Sequence, residues 1–169
     1  MKKLLSKIFT LISVVAGGVC FYLFSLDMLT KTTYALSGTD YQASSSESYT
    51  FYNLLSKDGN VTYAALIPLI LVGVATLFML IAVFFSNKKL DLALTFIAFL
   101  VFTGFAVLMF LAPTLYKNQF PTEFDTGIIG SLTNSKIEMT LSAAGYWSAS
   151  LGIVAAVFSL LSASLNAKK

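Results

Sequence analysis

Arginine and histidine are absent from this 169-residue chain, and all eleven basic side chains are lysine. Without arginine there is no planar fork for a bidentate grip on phosphate or carboxylate. Without histidine the chain lacks the commonest metal ligand, the usual haem ligand and the usual general base near neutral pH. Charge of either sign is scarce, at 11% of residues, against about 25% in an ordinary soluble domain. Cysteine is reduced to Cys20, which excludes an internal disulfide, a CxxC redox pair and a structural zinc site. In a helix Cys20 reads as a buried, inert thiol. No apolar run carries a charge at its middle, so ion-coupled transport, proton relay and intramembrane proteolysis lack the groups they need. No catalytic, cofactor-binding or metal-ligating residue is expected, no nucleic acid is expected as a partner, and the chain is not expected to be an enzyme.

What the chain has instead is length without charge: 57% of its residues are apolar. Val61 to Pro113 is almost wholly apolar, its one interruption being Ser86-Asn87-Lys88-Lys89-Leu90-Asp91. Two runs of membrane-crossing length joined by a short basic turn predict a transmembrane helical hairpin. The apolar run Ile8 to Leu26 has 19 residues, longer than the ~7–15 of a signal peptide, and predicts an uncleaved first span. The expected fold is an all-α integral membrane four-helix bundle, a single domain over residues 1–169. Its spans fall at about 8–29, 61–85, 92–113 and 141–165, with outer loops 30–60 and 114–140.

Lys2, Lys3, Lys7, Lys88, Lys89, Lys168 and Lys169 fall on one side of this arrangement, with Asp91 as the one acid beside them. The other side holds Lys31, Lys57, Lys117 and Lys136 and the remaining seven acids. The lysine bias makes both termini cytoplasmic and both loops extracytoplasmic, in a cell membrane. Lys-only, Phe-, Asn- and Ser-rich usage is suggestive of an AT-rich bacterial source.

The first loop is rich in Ser, Thr and Tyr. Ser44 with Glu47 three residues on has the form of a capping box, and Tyr49, Tyr52 and Leu55 follow at near-helical spacing. A short amphipathic helix over Ser48 to Lys57 is expected, lying on the membrane surface or capping the bundle. Ser135 with Glu138 forms a second such box, predicted to start the last helix outside the membrane. Tyr41, Tyr49, Tyr52, Glu123 and Asp125 are the candidate interaction surface. Two isolated carboxylates in the second loop are too few for a calcium loop.

For packing, Ser148, Gly152, Ala156 and Ser159 present a small-residue face on the last span. Ser13 and Gly17 of the first span are its expected partner, with homodimerisation as the sharper use. Phe96, Phe99, Phe102 and Phe105 make a slowly drifting stripe on the third span, suited to packing or to lipid. Pro68 places a bend in the second.

Inside termini, a long first outer loop and a shorter second resemble the topology of claudin-like tetraspans. The Trp and cysteine pair that mark that family's first loop have no counterpart here, Trp147 being in the last span, and the family is not assigned. The expected function is a non-catalytic accessory, scaffold or interaction subunit working through its outer loops. Its partners would be the lipid bilayer and another membrane protein or further copies of itself. The alternative is a small oligomeric channel or carrier for a neutral or weakly selected solute.

Overall fold

In the computed structural model, residues 2–37, 40–57, 60–84, 87–120 and 135–167 are described. Most of them are helical. Four helices are long and apolar enough to cross a membrane: α1 Lys2–Leu23, α3 Tyr63–Phe84, α4 Lys88–Gln119 and α5 Ala143–Ala167. At 1.5 Å per residue the shortest, α1 and α3, run about 33 Å, and α4 runs about 48 Å. Between α1 and α3 lie β1 Asp27–Ser37, β2 Asp40–Thr50, α2 Phe51–Leu54, β3 Ser56–Lys57 and β4 Asn60–Val61, and β5 Ser135–Leu141 precedes α5.

The chain is therefore not all-α. β1 pairs antiparallel with β2 on one side and with β5 on the other, giving the strand order β2-β1-β5. The first loop is mainly a hairpin, and its helix is one turn. Ser44 and Glu47 are strand residues opposite β1, not a cap; Thr50 caps α2 by accepting from Asn53 N at 3.0 Å. Ser135 and Glu138 likewise belong to β5, and α5 begins at Ala143. Both boxes are spacing coincidences: the residues that out-compete helix are Thr30, Thr32, Thr33 and Tyr34, β-branched and aromatic, with a partner strand more than a hundred residues away.

Helix boundaries also move, with α1 beginning at Lys2 and α4 at Lys88. The first span ends at Leu23, and residues 27–29 enter β1, with Met28 and Leu29 fully buried at its base. The third does not stop at Pro113. It continues to Gln119, because Tyr116 is buried beneath Tyr49 and Phe120, at ring-centroid distances of 6.3 and 5.1 Å, and Gln119 is bonded to the start of α3.

The core follows from the small residues on each helix. Ala65, Val72, Ala75 and Met79 of α3 meet Ala98, Phe102, Phe105 and Met109 of α4 and Ala149 and Ala155 of α5, all fully buried. The phenylalanine stripe splits as its drift requires: Phe96 is exposed, whereas Phe102 and Phe105 are core. Pro68 is buried within an unbroken α3. At the sheet end Phe51 of α2 plugs the bundle, with its ring 5.0 Å from Phe24, which in turn lies 6.1 Å from Phe105.

The two ends of the bundle differ. Near the sheet, Tyr22, Tyr52, Tyr63, Tyr146 and Trp147 are exposed, the arrangement of an interfacial aromatic belt. At the opposite end Lys2, Lys3, Lys88 and Lys89 are exposed. Hydrogen bonds from Ser6 to Ser162 and from Lys7 to Ala82 place the start of α1, the end of α5 and the α3–α4 turn together there.

Candidate functional site

The sheet is joined to the bundle by bonds that cross between distant parts of the chain. Ser142, just before α5, donates its N–H to Met28 O at 3.0 Å and its hydroxyl to Asp27 O. Gly145 allows this approach, because a Cβ there would lie 2.6 Å from Met28 O. Gln119, at the end of α4, accepts from Tyr63 N at 2.8 Å and donates to Val61 O at 2.7 Å. It thereby satisfies an orphan donor at the N-terminus of α3. Tyr52 OH reaches Phe21 O, at the end of α1, at 3.1 Å. The described parts of the two loops are thus joined to one another and to four helix ends.

Beyond this base the sheet is polar. Gln42 to Ser48 of β2 are exposed without interruption. Ser44 sits at a register shift against Thr33 and Tyr34 and donates to Thr33 O at 3.0 Å. On β5, Lys136 and Glu138 form a surface pair at 2.5 Å. The lysine's hydrogen bond and charge hold the Glu138 carboxyl below its usual range, with smaller help from Tyr34 and Lys117. A cleft of about 530 Å³ lies between Thr114 and Lys117 of α4 and Lys136 and Glu138 of β5.

Of the residues expected to form an interaction surface, Tyr49 and Tyr52 both make contacts within the fold, and Tyr52 stays exposed. Tyr49 donates to Glu47 at 2.7 Å and packs on Tyr116. Tyr41 is a residue of β2 opposite Leu36. Glu123 and Asp125 lie outside the described residues, as do Lys168 and Lys169.

Within the bundle, Ser13 and Ser159 do meet, at 3.3 Å, and Ser13 also donates to Ala155 O at 3.0 Å. Of the other packing candidates, the two glycines face elsewhere. Gly17 faces Thr76 of α3 and Phe102 of α4, and Gly152 faces Phe105 and Ala106 of α4. Ala156 lines an apolar groove with Phe99, Thr103 and Phe110. Ser148 is buried, and its backbone carbonyl accepts from Cys20 Sγ at 3.7 Å.

The α1–α5 seam is longer than these candidates and takes in Ser6, Thr10 and Cys20 of α1 and Ala155 and Ser162 of α5. With Gly17 and Gly152, which face other helices, the small residues Ser6, Thr10, Ser13, Gly17 and Cys20 are spaced by 4, 3, 4 and 3 residues, as are Ser148, Gly152, Ala155, Ser159 and Ser162. All except the two glycines and Ala155 carry a polar or thiol group, and Ser162 joins Ser6 and Thr10 at 2.9 Å each. The repeat was present in the sequence; recognising it requires extending the small-residue face to Ser6 and Ser162, near the ends of the spans.

Lys7, expected only to set topology, forms an ion pair with Asp91 at 3.2 Å, and its ammonium also donates to Ala82 O near the end of α3. The Asp91 side chain is only 7% exposed. This contact ties α1, α3 and α4 together at the lysine-bearing end. The signal for it was that Asp91 is the one acid among those lysines.

Among the described residues no group of three His, Cys, Asp or Glu could hold a metal ion, and Cys20 is fully buried. What the arrangement offers is a polar β-platform, carried on a packed four-helix bundle. No family model and no curated protein sequence matches the chain.

Proposed function

We propose that this is a non-catalytic, multi-pass protein of the cell membrane, an accessory, scaffold or interaction subunit whose sheet is the surface that meets a partner. The observation that carries the reading is the joining of both loops in one sheet whose β2 strand, from Gln42 to Ser48, is exposed and gives nothing to the core. Structure held rigidly on a scaffold but contributing no burial is where recognition is commonly placed. The packed centre of the bundle supports the same reading over a single-chain conduit, since Val72, Met79, Phe102 and Phe105 fill it.

The orientation we propose puts both termini and the α3–α4 turn in the cytoplasm and the sheet outside. It rests on the lysine bias at one end and the Tyr and Trp belt at the other. A cysteine placed at Ser45 should react with an impermeant maleimide from outside intact cells; labelling only after the cytoplasm is opened would reverse the orientation. Crosslinking in native membranes, followed by pull-down in mild detergent, should return a stoichiometric protein partner. Solute flux through the purified protein in liposomes, with no partner recovered, would replace this reading with the channel alternative.

A further inference from the structure

The lysine-bearing end of the bundle exposes charge of one sign. Lys2 and Lys3 open α1, Lys88 and Lys89 open α4, and all four are exposed. Among the described residues none of the four pairs with an acid. Asp91, the one acid beside them, is 5% exposed and is already held by Lys7 at 3.2 Å. Lys7 therefore takes up the negative charge that would have offset its neighbours. The fold itself does not favour cations in these places. The first turn of a helix is the positive end of its dipole, where acids stabilise and lysines do not. A topology signal needs lysine near this end, but it does not need the lysines to gather over exposed apolar side chains, and here they do. Lys3 and Leu4 precede Lys7 by four and three residues and share its face of α1. Lys7 reaches Ala82 O near the end of α3 and Asp91 near the start of α4. Lys3 and Leu4 stand about 4.5–6 Å further out, beside the turn from α3 to α4. Phe84, the last residue of α3, is there too. It is 77% exposed, the most of any large apolar side chain among the described residues, and Leu4 is 67% exposed.

A soluble anion would meet the ammonium groups alone and leave Phe84 and Leu4 uncovered. A lipid with an anionic headgroup meets both. Resting on the reading of the chain as membrane-spanning, we infer that this corner binds an anionic phospholipid, whichever leaflet the lysines face. Its phosphate lies among Lys3, Lys88 and Lys89, and its acyl chains run along Leu4 and Phe84. Lysine supplies point charges and no planar fork, so the site selects headgroup charge over headgroup shape. Basic clusters at the end of a membrane helix are attracted to anionic lipid in this way. A zwitterionic lipid, whose amine cancels its phosphate, is the weaker ligand.

The test uses the full chain in micelles containing equal amounts of phosphatidylglycerol and phosphatidylcholine, with the retained lipids identified by native mass spectrometry. Phosphatidylglycerol should be retained in preference. Lys3→Gln, Lys88→Gln and Lys89→Gln should each lower its affinity about fivefold, the equivalent of ~1 kcal/mol per lysine near an anionic surface, and leave phosphatidylcholine unchanged. Lys117→Gln, at the opposite end of α4, should change neither. Added salt should weaken the preference, whereas inorganic phosphate at matched ionic strength should not displace the lipid. Equal retention of the two lipids by the unaltered chain overturns the inference. A preference that survives the three substitutions together, or that Lys117→Gln lowers as much as they do, also overturns it. Displacement by inorganic phosphate replaces the lipid with a soluble anion. A chain that alkaline carbonate releases from native membranes overturns the membrane reading instead.

Discussion

Replacing Gly17 with alanine is expected to destabilise the bundle, and the same change at its neighbour Gly18 is not. A Cβ on Gly17 would clash with Thr76 Oγ1 and lie 3.2 Å from Thr76 Cβ and 3.3 Å from Phe102 Cζ, whereas one on Gly18 meets nothing within 4 Å. Thr76 has only two χ1 wells in a helix, its own Cβ is held by the backbone whichever it takes, and Phe102 is fully buried, so neither yields freely. Overpacking of this kind costs about 1–3 kcal/mol. Alanine returns up to about 1 kcal/mol of helix propensity at either position. The net expectation is a loss of about 1–2 kcal/mol at Gly17, a factor of roughly 5–30 in the folded-to-unfolded ratio, and no loss at Gly18. The assay is unfolding in mixed detergent and SDS micelles, followed by helical circular dichroism. Thr76→Ala removes the obstructing atom, and because the Thr76 hydroxyl has no hydrogen-bond partner among the described residues, it should cost little alone. Combined with Gly17→Ala it should recover most of the loss, a coupling well above the ~0.5 kcal/mol within which independent sites add. If Gly17→Ala behaves like Gly18→Ala, or if Thr76→Ala leaves its cost unchanged, the close approach of α1 to α3 is refuted.

Gly152→Ala places a Cβ 2.7 Å from Phe105 Cδ1, and the same unfolding assay should show a loss of about 1–3 kcal/mol, partly restored by Phe105→Leu. Lys7→Met strands the Asp91 carboxylate, one of whose oxygens already has no partner; it should cost up to about 3 kcal/mol, and Lys7→Met with Asp91→Leu should be less damaging than Lys7→Met alone. Ser162→Ala removes the hydroxyl that joins Ser6 and Thr10, and should cost only about 0.6–2 kcal/mol, the scale of hydrogen bonds between membrane helices. Lys136→Gln should return the Glu138 titration upward to the ordinary carboxylate range, read by NMR of the side-chain carboxyl. Because the folded carboxyl titrates low, the pair's contribution is present at neutral pH and is lost as pH falls through that lowered value.

The sequence by itself determined the four helices long and apolar enough to cross a membrane, since in a bilayer an uncharged run of some twenty residues must satisfy every backbone group within its own helix. It also suggested which segments share an end, because lysine marks them, and it set a small-residue face of the last long helix, Ser148 to Ser159, toward Ser13 and Gly17 of the first, because small residues at helical spacing permit close approach. Tertiary structure decided the rest. The helix boundaries at Leu23 and Gln119 depend on Met28, Leu29 and Tyr116 finding burial in other elements. The partners of Gly17 and Gly152 depend on the rotation of each helix, which a stripe with small residues on several sides leaves open. Above all, the described loop residues 27–37, 40–50 and 135–141 form a sheet. Thr30 to Tyr34 have strand propensity but no partner nearby, and their ladder is completed by Lys136 to Thr140 from the far end of the chain. Local spacing of Ser44 with Glu47, and of Ser135 with Glu138, favoured helix caps there. Those local bonds are outweighed once three strands can satisfy their backbones together, and that is a property of the assembled bundle.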